Sequence, residues 1–197
     1  MTRTRAVFLD RDGVLVDDVG PLVRADDIRV LPGVARALAM LHASGWALVV
    51  VTNQTAVARG LATQDEVRAL QRGIESTLQS QGAPAFDDFL FCPHHPRATD
   101  PAYRTDCACR KPQPGLIHAA CARHGIDARS SVMVGDRPSD IEAGHGAGCT
   151  TVWVQTGRHA DAPIEGPGGA PFVHRPASHV CADLLGAALW ILAAGTA

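Results

Sequence analysis

Aromatic residues are scarce in this chain, with one Tyr, three Trp and five Phe among 197 residues. Clustered positive charge is missing too, and the formal net charge is −2 with the histidines neutral. Nucleic-acid surfaces carry a basic footprint, and single-strand binders add aromatic platforms, so both scarcities speak against that class. No apolar stretch approaches the ~18 residues of a membrane span. Nor is there a secretory signal pattern: Thr2-Arg3-Thr4-Arg5 leads directly into the short run Ala6-Val7-Phe8-Leu9. The expectation is a cytoplasmic protein with no membrane or nucleic-acid partner. In such a compartment its six cysteines suit metal ligands or buried thiols better than disulfides.

What is present suits one globular α/β domain spanning residues 1–197. Hydrophobic residues make up 46% and charged residues 19%, enough to bury a core and solvate a surface. Short, almost continuously apolar runs predict parallel strands at Ala6–Leu9, Ala47–Val51, Phe86–Phe91, Ser131–Val134 and Thr151–Val154. Helical patterns lie between them, over Val34–Ala43, Gln64–Gln81, Pro114–His124 and Ser139–Ala147, with a last helix over Val180–Ala193. Thr63 and Glu66 form a possible capping box, and Gly125 is placed to end the third helix. Two segments show no period, Val14–Leu31 and Pro93–Gln113. Each follows a strand, and ligands of open α/β sheets bind beyond the carboxyl ends of strands. Ala160–Ala170 reads as a surface loop and Phe172-Val173 as a final strand. A small domain of this kind is expected to be a monomer.

The polar residues at these strand ends share one chemistry. Asp10-Arg11-Asp12-Gly13 follows the first strand, Thr52-Asn53-Gln54 closes the second, and Gly135-Asp136, with Asp140 beyond, closes another. Arg110-Lys111-Pro112 precedes a helix. Singly, each has a structural explanation: Asp-Gly is a turn dipeptide, Thr52 could cap a turn, Lys111 could be solvated, and Asp136 could be an N-cap. Together they bring acids, a hydroxyl and a cation to successive strand ends, the outline of a phosphate-and-magnesium site.

The ordered set DRDGV, TNQ, RKP and GDRPSD resembles the motifs of the haloacid dehalogenase-like phosphotransferase superfamily. That resemblance implies a Rossmann-like, mostly parallel sheet with helices on both faces, without a cap domain, and an aspartyl-phosphate mechanism. It assigns Asp10 as nucleophile and Asp12 as general acid, then base. Thr52 would bind the transferring phosphoryl group and Lys111 would offset its charge. Mg²⁺ would be held by Asp10, Asp136 and the backbone carbonyl of Asp12.

A second metal set is read from spacing. Cys92-Pro93-His94 and Cys107-Ala108-Cys109 supply three thiolates and an imidazole, a tetrahedral set with no open position, so a structural Zn²⁺ is expected. Cys121, Cys149 and Cys181 are assigned to core or interface positions. The segments TNQTAVARG and CPHHP…CACRKPQPG resemble the D-glycero-D-manno-heptose 1,7-bisphosphate 7-phosphatases within the superfamily. On that resemblance the substrate is a small sugar phosphate, and Asp18, Asn53, Gln54, Thr55, Arg110 and Arg137 would contact it. Val19, Pro21, Thr55 and Ala56 depart from common family residues there. The alternative is a histidinol-phosphate phosphatase, whose amine would suit Asp17, Asp18, Asp26 or Asp27. A non-catalytic zinc module is disfavoured because both Asp10 and Asp12 are kept.

Overall fold

The computed structural model describes residues 4–157 and 175–194. Six strands form one parallel sheet: β1 Ala6–Leu9, β2 Ala47–Asn53, β3 Asp88–Cys92, β4 Val132–Gly135, β5 Thr150–Val154 and β6 His179–Cys181. Their order is β3-β2-β1-β4-β5-β6, the doubly wound arrangement in which the chain reverses its direction of growth between β1 and β4. That reversal opens a crevice at the carboxyl ends of these two central strands. The site lies there.

Period-2 alternation explains the layers. Val7 and Leu9 of β1 join Leu48, Val50, Val132 and Val134 on one face, packed against helices α1 (Val34–Ala43), α3 (Gln64–Ser80) and α6 (Leu184–Ala194). Ala6 and Phe8 join Val49, Val51 and Met133 on the other, under α4 (Gly115–His124) and α5 (Pro138–Ala147). Both faces are buried, which is why the strand sequences are apolar throughout rather than alternating. A four-residue helix, α2 (Thr55–Ala58), follows β2 directly.

The expected strands and helices are all found, with end shifts of a few residues, except at the carboxyl end. There the helix expected over Val180–Ala193 starts at Leu184, and His179–Cys181 is instead an edge strand paired with β5. The cause is local: Asp183 Oδ1 accepts the Gly186 N–H at 2.7 Å, the hydrogen bond of an N-cap. The capping box at Thr63 forms as expected, with Glu66 N donating to Thr63 Oγ1 (3.2 Å) and Thr63 N to Glu66 Oε2 (2.7 Å). Gly125 ends α4 in the left-handed region. Val14–Leu31 and Pro93–Gln113 contain only the short turns Ala25–Asp27 and Pro101–Tyr103 besides isolated bridges. The loop expected over 160–170 and the strand at 172–173 lie outside the described residues. Among the described residues no helix is long and apolar enough to cross a membrane.

Helix α5 sits close enough to the sheet to test the packing. A Cβ at Gly144 would lie 2.7 Å from Met133 Cβ and 2.7 Å from Thr151 Cγ2. In an exposed helix Gly→Ala is stabilising by roughly 0.5–1 kcal/mol. Here the sign should reverse: Gly144→Ala is expected to lower stability by about 1–3 kcal/mol through overpacking, measured by equilibrium urea unfolding. A stabilised variant would show that the helix can move off the sheet freely.

Candidate active site

Asp10 stands at the first position after β1, where its backbone N–H still bonds Val134 O of β4 (3.0 Å). Thr52 lies within β2, and Asp136 follows β4, so three neighbouring strands deliver them to one place. Lys111 reaches the same place from the long irregular segment. Its backbone is pinned to β2 by Asn53, whose Oδ1 accepts Lys111 N–H and whose Nδ2 donates to Lys111 O, both at 3.0 Å. Its ammonium then makes three contacts, to Asp10 Oδ1 (2.9 Å), Asp140 Oδ1 (2.7 Å) and Val51 O (2.9 Å). Lys111 is the only lysine in the sequence and is 3% exposed, so this is a buried charge with one function-ready geometry rather than a surface residue.

Carboxylates outnumber cations at this spot. Asp10, Asp136 and Asp140 are all buried, and oxygens from all three lie within 4.8 Å of one another. One ammonium cannot neutralise three carboxylates, and uncompensated buried charge is costly. Burial pushes Asp140 up to about 6 despite the adjacent Lys111. Burial alone would lower Lys111, but the Asp10 and Asp140 carboxylates outweigh it and hold the ammonium above its usual range. The all-oxygen donor set suits a hard divalent cation. Space is kept for it. Gly13 (φ +85°) would place a Cβ 2.5 Å from Asp136 Oδ2, and Gly157 would crowd the same oxygen. Thr156 Oγ1 donates to Gly13 O (2.6 Å), tying the end of β5 to the Asp10–Gly13 turn. Asp140 also serves the fold, since its Oδ2 accepts the Arg137 N–H at the start of α5 (3.0 Å).

Asp12 sits beside this cluster, held by Arg11 and Gln54. Arg11 Nε and Nη2 donate to Asp12 Oδ1 and Oδ2 (3.1 and 3.0 Å), and Gln54 Nε2 donates to Asp12 Oδ2 (2.9 Å). Burial raises the Asp12 carboxyl above the ordinary range, against the pull of Arg11 and with a contribution from the Asp10 charge.

A cleft of about 1200 Å³ runs outward from Asp10 and Asp12. Thr52, Asn53, Gln54, Thr55, Asp18, Arg110 and Arg137 all line it. Two of the residues expected to meet substrate meet each other instead: Arg137 Nη2 donates to Asp18 Oδ2 at 2.5 Å. Arg110 Nη1 donates to His94 O (3.0 Å), which couples it to the cysteine loop. Arg59 and His95, which lie in the segments that carry the family resemblance, also line the cleft, as does Arg97, which no sequence motif marks. Burial first, then Arg110, Arg59 and Arg97, push His95 below its usual range; these three arginines line the outer cleft together with one acid, Asp106. Arg11 carries no expectation of its own although it sits inside a quoted motif, and Asp140, expected beside Asp136, joins the acid cluster.

The second cluster is closed. Cys109 Sγ lies 3.2 Å from both Cys92 Sγ and Cys107 Sγ, and Cys92 Sγ lies 3.5 Å from Cys107 Sγ. His94 Nδ1 lies 3.4 Å from Cys109 Sγ and 3.6 Å from Cys92 Sγ. Sulfurs this near are crowded as thiols, whereas ligands about 2.3 Å from a central Zn²⁺ stand roughly 3.7 Å apart on a tetrahedron. The four donors therefore fit a tetrahedral metal ion, with no ligand position left over.

A HAD-hydrolase-like family model matches residues 108–187. The D-glycero-beta-D-manno-heptose-1,7-bisphosphate 7-phosphatase of Rhodopseudomonas palustris is 42% identical over 146 residues, 74% of this chain and 81% of that protein. The D-glycero-D-manno-heptose-1,7-bisphosphate 7-phosphatase of Thermosynechococcus vestitus is 36% identical over 94% of each chain. Among solved structures, the D,D-heptose 1,7-bisphosphate phosphatase of B. bronchiseptica, complexed with magnesium and phosphate, superposes with a TM-score of 0.79. It shares 32% identity and covers 96% of this chain and 99% of its own.

Lys111→Met removes the only ammonium from the acid cluster. It is expected to destabilise the chelator-treated protein by about 3–5 kcal/mol, read from urea unfolding, with part of the loss recovered on adding a divalent cation. An unchanged midpoint would mean that the carboxylates are neutralised by some other group.

Proposed function

The chain belongs to the heptose-1,7-bisphosphate 7-phosphatase family of haloacid dehalogenase-like hydrolases, and we propose that it removes the C7 phosphate of D-glycero-D-manno-heptose 1,7-bisphosphate through an aspartyl-phosphate on Asp10. The observation that carries the reading is the meeting of Asp10, Thr52, Lys111 and the Asp136–Asp140 pair at the crevice between β1 and β4. The magnesium and phosphate of the related structure support the same reading.

The residues divide the work as follows. Asp10 Oδ1 is engaged by Arg11 N–H (2.7 Å) and by Lys111, which leaves Oδ2 as the attacking oxygen. As the bond from Oδ2 to phosphorus forms, the bond from phosphorus to the sugar oxygen breaks, and Asp12 gives its proton to that oxygen. Water then loses a proton to Asp12 and attacks phosphorus, releasing inorganic phosphate and restoring Asp10. Thr52 donates to a phosphoryl oxygen, and Lys111 offsets the charge that Asp10 would otherwise oppose to a phosphate dianion. Asp10, Asp136 and the Asp12 carbonyl would hold Mg²⁺, which would supply further charge neutralisation, the main contribution in phosphoryl transfer.

The cationic outer cleft favours a second phosphate over an amine. Arg59, Arg97 and Arg110 stand around His95, and Asp18, which might have met an amine, is engaged by Arg137. A bisphosphate fits this field better than histidinol phosphate. We assign structural Zn²⁺ to Cys92, His94, Cys107 and Cys109.

Phosphate release from α- and β-heptose 1,7-bisphosphate and from histidinol phosphate, each with Mg²⁺, tests the substrate. Strong preference for one heptose anomer is expected, and preference for histidinol phosphate would overturn the assignment. Asp10→Asn should abolish turnover while the thermal transition stays in place; near wild-type rates would sink the covalent mechanism. Cys107→Ser should lower the zinc content measured by atomic emission and lower stability, with activity lost secondarily. Wild-type protein that is fully stable without zinc would contradict the clip.

A further inference from the structure

Gln54 lines the cleft, yet its side chain is 4% exposed and all of its polar capacity toward the site is spent within the protein. Its Oε1 accepts Arg11 Nη2 at 2.8 Å, while its Nε2 donates to Asp12 Oδ2 (2.9 Å) and to Thr52 Oγ1 (3.0 Å). Arg11 is 0% exposed and can only donate, so the amide has one sensible orientation, with oxygen toward Arg11 and nitrogen toward Asp12 and Thr52. The reverse orientation would set donors against donors. A buried guanidinium thus fixes an amide, and the amide fixes two residues of the reaction.

The proton count at Thr52 follows. Because Thr52 Oγ1 accepts from Gln54, its own hydroxyl proton is left to be donated outward. At Asp12 the same amide and Arg11 together hold both carboxyl oxygens, which sets the side chain's position beside Asp10. Resting on the phosphatase reading above, we propose that Gln54 is a positioning residue, not a sugar ligand: oriented by Arg11, it places the Asp12 carboxyl for proton transfer and turns the Thr52 hydroxyl toward the phosphoryl group.

The leaving group separates this role from a structural one. An alkyl phosphate needs a proton on its departing oxygen, whereas p-nitrophenolate departs without one. The test measures kcat and KM for wild type, Gln54→Leu, Gln54→Glu and Asp12→Asn on heptose bisphosphate and on p-nitrophenyl phosphate. Gln54→Leu is expected to lower kcat for the sugar phosphate about 10- to 100-fold, a misplaced general acid losing part of its usual 10²–10⁴ contribution. KM should change less than about threefold, and the kcat loss on the aryl ester should be at least about fivefold smaller. Gln54→Glu keeps an acceptor for Arg11 and so a folded protein, but it cannot donate to Asp12; it should show the same signature. Equal kcat losses on both esters, or a loss carried by KM, would overturn the proposal. Asp12→Asn separates the two levels of inference. If it fails to discriminate between the esters, the acid role of Asp12 itself is wrong. If it discriminates and neither Gln54 variant does, only the positioning role fails.

Discussion

The Lys111 ammonium is the contact on which the site depends. It pairs with the Asp10 and Asp140 carboxylates and donates to the Val51 carbonyl, and thereby joins the ends of β1 and β2 to the first turn of α5. Each partner has a second engagement: Asp10 Oδ1 with the Arg11 amide, Asp140 with the Arg137 amide, and Val51 within β2. A buried lysine of this kind is weak as a source of stability, because desolvation consumes most of the Coulombic gain. Its value lies in specifying positions. With the ammonium in place Asp10 has Oδ1 occupied, which leaves Oδ2 for the proposed attack on phosphorus.

The same economy explains why small residues surround Asp136. The left-handed turn at Gly13 brings backbone to within a distance of the Asp136 carboxylate that no Cβ could share, and Gly157 closes in from the end of β5. The parallel sheet supplies the approach, since the neighbouring strands β2, β1 and β4 bring Thr52, Asp10 and Asp136 to its carboxyl edge. Charge then accumulates where the fold has left no side-chain bulk. Three buried carboxylates beside an oriented lysine are the arrangement that the proposed metal and phosphate would use together.

Much of this was readable in the residues because the strands are buried on both faces and therefore almost uninterruptedly apolar, so their ends stand out wherever a polar residue appears. Asp10, Thr52 and Asp136 are marked in that way. The carboxyl-terminal helix was misplaced because Val180 and Cys181 continue the apolar run of Leu184–Ala194, while the real boundary, Asp183 capping Gly186, is a single polar residue. Arg11 escaped attention for a related reason. In the motif it lies between the two acids Asp10 and Asp12, and only the structure shows a guanidinium fully removed from solvent, with Nε donating to Asp12 and Nη2 to Asp12 and Gln54. Pairings such as Asp18 with Arg137, 119 residues apart, depend on loop paths that no local pattern encodes.

The cysteine loop completes the logic of the lysine. Lys111 comes from a stretch with almost no regular structure, and fixing such backbone costs about 1–2 kcal/mol per residue. The sheet contributes the Asn53 clasp and the Val51 carbonyl to this stretch, and α4 adds Gly115 N–H to Ala108 O at 2.8 Å. The zinc proposed for the four donors between Cys92 and Cys109 would provide what strands and helices do not, because a structural zinc contributes on the order of 10–16 kcal/mol to the fold it closes. Cys109 is followed at once by Arg110, whose guanidinium returns to the His94 carbonyl, and then by Lys111. The proposed metal loop would thus be the scaffold for Arg110 and Lys111. A site that must present a buried ammonium to a carboxylate within 3 Å cannot leave that ammonium on a wandering loop, and the zinc proposed here is the means by which a segment without secondary structure holds it still.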